Sequence, residues 1–226
     1  MKKHTQCPGE GPKKGRLGDP IFDAFYATQV ESITSAAETD TLVQATGAAL
    51  LDKIGNAILV THSQAGAFGW LIADARPKLV KGILALEPSG PPFEAVIIGK
   101  GEARPWGLAE APLTYDPAVK AASELTKIHE EMADGPDLVP CWRQADPARK
   151  LANLMGIPIL ILTAEASYHA VYDHCTSKYL TQAGVKNTLV RLETVGILGN
   201  GHMLMLEKNN LQIAALLHNW ITKHVK

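Results

Sequence analysis

The sequence predicts an α/β fold, a mostly parallel sheet covered by helices on both faces. Short, continuously apolar runs recur at residues 57–60, 82–86 and 157–162, with a further strand at 188–192. Helix-patterned segments separate these runs, and strands apolar on both faces belong in a parallel sheet buried from both sides. The other informative feature is a serine. Ser63 sits where the first apolar run passes, without a break, into an Ala/Gly-rich helix-compatible segment, N-A-I-L-V-T-H-S-Q-A-G-A-F-G-W.

Taken in order, residues 1–18 are rich in Gly, Pro and Lys and read as a flexible lead-in. Asp19-Pro20 has the form of a helix start, an N-cap followed by proline at the first helical position. Phe22, Phe25, Tyr26, Val30 and Ile33 share one face of the amphipathic helix expected there. A second helix is expected from about Asp40 to Ile54, with Leu42, Val43, Ala49 and Leu50 inward and Gly55 as its stop. The helix after Ser63 ends near Arg76-Pro77, because proline cannot continue it. The next apolar strand ends at Glu87-Pro88. Residues 89–156 are long, irregular and Pro- and Trp-containing, with one helix expected around 119–132. They read as an insertion folded over the sheet, a lid. Pro158 marks a strand beginning, residues 172–183 are helical, and a last helix over about 210–224 is expected to bury Leu211, Ala214, Leu217 and Ile221.

Composition bounds the function. The 226 residues include 46% hydrophobic ones, enough for a sizeable core in one domain, and the net charge is -1. No basic or acidic block points to nucleic acid or an anionic membrane surface, and no apolar run is long enough to span a bilayer. The start carries Lys2, Lys3, Lys13 and Lys14 but no apolar h-region, so no secretory signal is read there. Three widely spaced cysteines, Cys7, Cys141 and Cys175, suit reduced thiols, and none has metal-ligand spacing. These features favour the cytoplasm.

Chemistry centres on Ser63. A serine on a sharp strand-to-helix turn has the form of a nucleophile elbow, which needs small residues two before and two after it. Thr61 and Ala65 meet that need in place of two glycines. A serine hydroxyl needs a histidine to take its proton and an acid to orient that histidine. The best-placed histidine is His202, in the Gly-rich loop after the last strand. His4, His129, His218 and His224 read as solvated, and His169 and His174, flanking Asp173, lack zinc-site spacing. Two carboxylates end strands, Glu87 after the second and Glu165 after the third, and periodicity does not choose between them.

The segments T-H-S-Q-A-G, L-E-P-S-G-P-P-F and G-N-G-H-M-L-M-L-E-K-N-N-L-Q-I-A resemble a branch of α/β-hydrolase esterases that includes a bacterial esterase with a lid and fungal relatives. In that branch the acid follows the strand after the nucleophile, in an E-P-x-G segment. The resemblance therefore implies Ser63 as nucleophile, His202 as base and Glu87 as acid. Glu165 becomes a carboxylate lining the site or bonding the local backbone. One oxyanion donor is expected from the backbone N–H of Gln64. The second normally comes from a loop after an earlier strand, yet no convincing strand precedes Ala57. The expectation is thus an α/β-hydrolase fold apparently lacking its N-terminal strands, with residues 19–226 its C-terminal part and 89–156 its lid. Phe93, Trp106, Tyr115 and Trp142 are candidates for an apolar pocket or for plain packing, as are Met203 and Met205.

Two readings follow. One is a serine hydrolase cleaving carboxylic esters through an acyl-enzyme, with no cofactor or metal, a small-molecule ester as partner, and a homodimer allowed. The other is a truncated or non-catalytic hydrolase-like binding module without a complete oxyanion hole.

Overall fold

The computed structural model describes residues 3–8 and 15–225. The rest of the expected lead-in lies outside the described residues. Residues 3–8 themselves dock: the Thr5 and Gln6 N–H groups donate to the Gly199 carbonyl (2.9 and 3.2 Å), and the Lys208 N–H donates to Gln6 (3.1 Å). His4 stays exposed, as expected, but is also tied down, since its Nε2 lies 2.5 Å from the fully buried carboxylate of Glu207.

Helix α1 (Pro20–Tyr26) begins as the sequence predicts, with Asp19 accepting from the Ile21 N–H at 2.9 Å. It stops early. The side chains of Thr28 and Gln29 take the Phe25 carbonyl that a further turn would use. Val30 and Ile33 therefore lie outside the helix and are exposed, and α1 buries none of its residues. Helix α2 (Ala36–Ile54) is capped by Ser35, which accepts from the Glu38 N–H. Its inward face is rotated from the expected one: Asp40, Ala48 and Leu51 are buried, while Leu42, Ala49 and Leu50 are exposed. Polar contacts fix that rotation. Asp40 accepts from the Glu110 and Ala111 N–H groups, Gln44 donates to the Leu71 carbonyl, and Gly47 leaves no room for a Cβ against Ile72.

Strand β1 (Ala57–Ser63) turns directly into α3 (Gly66–Ala75), which leads to β2 (Val80–Pro88). The insertion between β2 and the next sheet strand forms two small hairpins. One pairs β3 (Glu94–Ala95) with β4 (Gly101–Glu102), and the other pairs β5 (Lys127–His129) with β6 (Trp142–Gln144). The helix expected around 119–132 is therefore a short 3-10 turn followed by β5. Pairing overrides its helical spacing: Ile128 aligns with Arg143, and the Lys127 ammonium sits 5.3 Å from the Trp142 ring.

The sheet continues through β7 (Ile159–Thr163), then α4 (Asp173–Gln182), β8 (Thr188–Arg191) and α5 (Asn210–His224). Its order is β1-β2-β7-β8, all parallel. In α5 the buried residues are Ile213 and Trp220, whereas Leu211 and Ala214 of the expected face are exposed. Much of the insertion shares the main core: Phe93, Leu108, Leu125 and Leu151 pack in one cluster with Trp70, Ile83 and Ile159. Cys141 and Cys175 form a disulfide, which corrects the expectation of reduced thiols. Packing of β6 on α4 brings together two residues 34 apart in the chain, a proximity that their spacing does not reveal.

Candidate active site

Parallel register places the ends of β1 and β2 side by side, with His62 opposite Leu86 and Ser63 opposite Pro88. At both ends the backbone enters the left-handed region, φ 57° at Ser63 and 48° at Glu87. Non-glycine residues hold such angles only where the surroundings fix them. The Ser89 N–H donates to the Ser63 carbonyl at 2.9 Å, and the Ala65 N–H to the His62 carbonyl at 3.1 Å. Gly66 opens α3 close against Pro88, where any Cβ would collide with the backbone of β2. Both strand ends thus aim polar side chains at the same rim of the sheet.

His202 arrives at that rim on the loop after β8. The loop is held by its own polar network. The Gly201 N–H donates to Glu207 (2.7 Å), and the buried Asn200 pairs with Asn209 and Glu207. His202 Nε2 lies 2.8 Å from Ser63 Oγ, and its Nδ1 lies 2.6 Å from Glu87 Oε2. Glu87 is fully buried and accepts also from the Ala164 N–H (2.8 Å) and the Ser167 hydroxyl (2.7 Å). Burial pushes its carboxyl above the usual range, while the hydrogen bond from His202 opposes the rise.

Aromatic rings enclose the His202 imidazole. His62 lies 4.5 Å from it between ring centroids and bonds its backbone carbonyl through Nε2 (2.9 Å). Tyr168 lies at 4.8 Å, with its hydroxyl 3.3 Å from His202 Nε2. His169 stacks at 4.7 Å with planes 3° apart. His169 Nδ1 meets Asp173 at 3.1 Å, and Asp173 also accepts from the Thr163 hydroxyl at 2.7 Å. Desolvation pulls the His169 pKa down to about 4 and pushes that of the Tyr168 phenol up. Hence His169 is neutral and Tyr168 protonated at neutral pH.

The structure brings Ser63, His202 and Glu87 together, with Gln64 in the turn that follows the serine. Glu165 is held apart from them, accepting from the Gly199 N–H at 2.9 Å on the backbone of the His202 loop. The sequence reading missed His62, Ser167, Tyr168, His169 and Asp173. His62, adjoining the serine, was the legible one; the others lie in or just after the loop following β7, at no diagnostic spacing.

A cavity of about 300 Å³ opens beside Ser63, walled by Gln64, Ile97, Ile98, Arg104 and Tyr168 among others. The aromatic residues considered for a pocket pack elsewhere. Phe93 sits edge-on to Tyr179, the Tyr115 hydroxyl meets that of Tyr179 at 2.7 Å, and Trp142 lies against His129. Trp106 joins the same packing through its carbonyl, which accepts from Tyr115. Outside the site, donor atoms of Cys141, His174 and Cys175 lie within 4.8 Å of one another, but the two sulfurs are bonded to each other and offer no thiolate.

A sequence profile described as the alpha/beta hydrolase family matches residues 6–216. A probable secreted lipase, phiG, of Fungal sp. (strain ATCC 74256) is 47% identical over 221 residues, covering 97% of this chain and 59% of that protein. The chain thus spans about three-fifths of the length of that relative. Among solved structures, a novel bacterial esterase is similar with a TM-score of 0.47 and 20% identity, covering 81% of this chain and 43% of that one. A Paleococcus ferrophilus monoacylglycerol lipase gives a TM-score of 0.44 and 14% identity, covering 84% and 76%. Likeness of that degree says nothing about activity. The secreted relative overturns the expectation of a cytoplasmic protein, and the Cys141–Cys175 disulfide agrees, since such bonds persist in oxidising compartments.

Proposed function

This chain belongs to the alpha/beta hydrolase family, and we propose that it is a serine hydrolase that cleaves carboxylic esters through Ser63, His202 and Glu87. The reading rests on one observation, the continuous hydrogen-bond chain from Ser63 Oγ through the two nitrogens of His202 to Glu87. Ser63 attacks the ester carbonyl as His202 Nε2 accepts the hydroxyl proton. Glu87 holds Nδ1–H, so that Nε2 is the free acceptor, and stabilises the imidazolium that forms. His202 then protonates the leaving alcohol, giving an acyl-enzyme on Ser63. Water, deprotonated by the same nitrogen, releases the acid.

The Gln64 N–H, at the head of α3, serves as an oxyanion donor. A donor of this kind typically contributes about 10²–10³ in kcat. No step calls for a cofactor. A protein that resembles a secreted lipase and carries a disulfide fits an extracellular setting.

Labelling with a fluorophosphonate probe tests the reading. The expected result is an adduct on Ser63, absent in Ser63→Ala, together with turnover of short p-nitrophenyl esters. Folded protein that neither labels nor turns over those esters would leave a hydrolase-like binding module instead.

A further inference from the structure

Arg104 is a half-buried basic group in the wall of the cavity beside Ser63, where desolvation lowers its pKa from the ordinary value, and among the described residues it has no carboxylate partner. Its Nε donates to the Pro91 carbonyl at 2.8 Å and its Nη2 to the Glu94 carbonyl. Among the described residues, Nη1 has no acceptor and no carboxylate lies within ion-pair distance of the guanidinium. Glu110, Glu94 and Asp40 act on it from farther away, and each is committed elsewhere. Glu110 accepts the backbone N–H of Arg104, Glu94 the Trp142 indole N–H, and Asp40 the N–H groups of Glu110 and Ala111.

The backbone reinforces the point. Arg104 has φ 49°, a left-handed conformation that costs a long side chain free energy unless something fixes it. Here Glu110, accepting the backbone N–H, helps to fix it, while the bonds to the Pro91 and Glu94 carbonyls hold the guanidinium of this cavity-lining residue. Two carbonyl bonds use part of the fork, and the guanidinium remains charged and able to meet a carboxylate with two parallel N–H groups. Other residues lining the cavity differ in character. Ala95, Val96, Ile97 and Ile98, on and beyond β3, are mainly apolar.

We propose that the cavity selects esters bearing a carboxylate on an otherwise apolar acyl chain, with Arg104 as the anion-binding residue. This rests on the esterase reading above, because Ser63 must hold the ester carbonyl while Arg104 holds the far end of the acid. The unpaired guanidinium is then the feature that a neutral lipid-like ester would leave desolvated and unused.

The test compares two esters that differ only at the acyl terminus, 4-nitrophenyl hemiglutarate and 4-nitrophenyl valerate, at pH 7. In the wild type, kcat/KM should favour the hemiglutarate. In Arg104→Gln the ratio of the two values should fall by about tenfold to a hundredfold, the effect of losing a charge-assisted bond, and Arg104→Lys should retain part of it. Reading a ratio removes any general loss of activity. Free glutarate should inhibit valerate hydrolysis competitively in the wild type, which needs no variant.

Valerate turnover with an unchanged ratio in Arg104→Gln, or without glutarate inhibition, overturns the anion site and leaves the esterase reading standing. Failure of both esters, with no fluorophosphonate label on Ser63, overturns the esterase reading instead. Calorimetry of glutarate on wild type and Arg104→Gln still decides the anion site in that case: heat of binding in both proteins or in neither counts against it.

Discussion

His169 lies face to face with His202, the ring centroids 4.7 Å apart and the planes 3° from parallel. The stack pins the imidazole that joins Ser63 to Glu87. His169 is itself pinned through Nδ1 to the fully buried Asp173. It touches no reacting atom in the proposed mechanism and acts by positioning. His169→Leu should lower kcat about tenfold or more with KM nearly unchanged, because misplacing the base by a fraction of an ångström weakens proton transfer. Steady-state kinetics with His169→Phe as companion decides this. A ring without titration should restore much of kcat if stacking is the contribution, and a purely structural role would lower stability without that rescue.

The same residue has a pH signature. Its folded pKa, about 4, lies below the ordinary value of 6.5. Between those values the unfolded chain binds the proton and the folded one does not, so this contribution is complete above pH 6.5 and is lost as pH falls towards 4. The loss is about 3 kcal/mol at most. His169→Asn, which keeps an N–H for Asp173, should lose less stability than the wild type over that window. Urea midpoints at pH 7.5, 5.5 and 4.5 measure it, and parallel curves for the two proteins would refute the assignment.

The two strand-end carboxylates should separate cleanly. Glu87→Gln should lower kcat by about 10⁴, the usual scale when the histidine loses its orienting acid. Glu165→Gln should cost less than about tenfold, because its hydrogen bond goes to the Gly199 backbone. The opposite ranking would move the acid to Glu165, after β7.

Tyr168 carries a hydroxyl 3.3 Å from His202 Nε2, and desolvation keeps that hydroxyl protonated. A donor so near the serine is positioned to steady charge on the reacting oxygen. Tyr168→Phe should reduce kcat about tenfold and leave the folded stability within about 1 kcal/mol, the scale of one hydrogen bond. Equal kcat in the two proteins would remove Tyr168 from the chemistry.

The Cys141–Cys175 disulfide closes a loop of 34 residues. On the chain-entropy account, replacing both cysteines by alanine should lower stability by about 3–4 kcal/mol. Guanidinium unfolding of the double variant checks the size. A midpoint unchanged from wild type would mean that the bond is not formed.

The parallel strands, Ser63 and His202 were legible in the sequence because each is local: an apolar run, a turn residue, a Gly-rich loop. Glu87 and Glu165 were both legible as strand ends, with no choice between them. The burial faces of α2 and α5 were not legible. In α2, Asp40 and Gln44 find backbone partners on other elements, and those bonds set the rotation against a weak apolar pattern. The stretch at 119–132 carried helical spacing but lay within reach of β6, and strand pairing prevailed. Asp173, His169 and the disulfide depend on what α4 and β6 meet in space, which spacing along the chain does not encode. The resemblance to lidded esterases supplied what periodicity could not, the preference for Glu87 over Glu165.

The bond between Cys141 and Cys175 also bears on how the insertion sits over the sheet. It stitches β6 to α4, and the bulk of the insertion is already rooted in the core through Leu108, Leu125 and Leu151. The insertion is thus anchored to the rest of the domain at several separate points. Beside the cavity, the tip of the β3–β4 hairpin exposes Ile97 and Ile98 to solvent. On the proposed esterase reading, that short tip is the place to retune which acyl groups the cavity accepts.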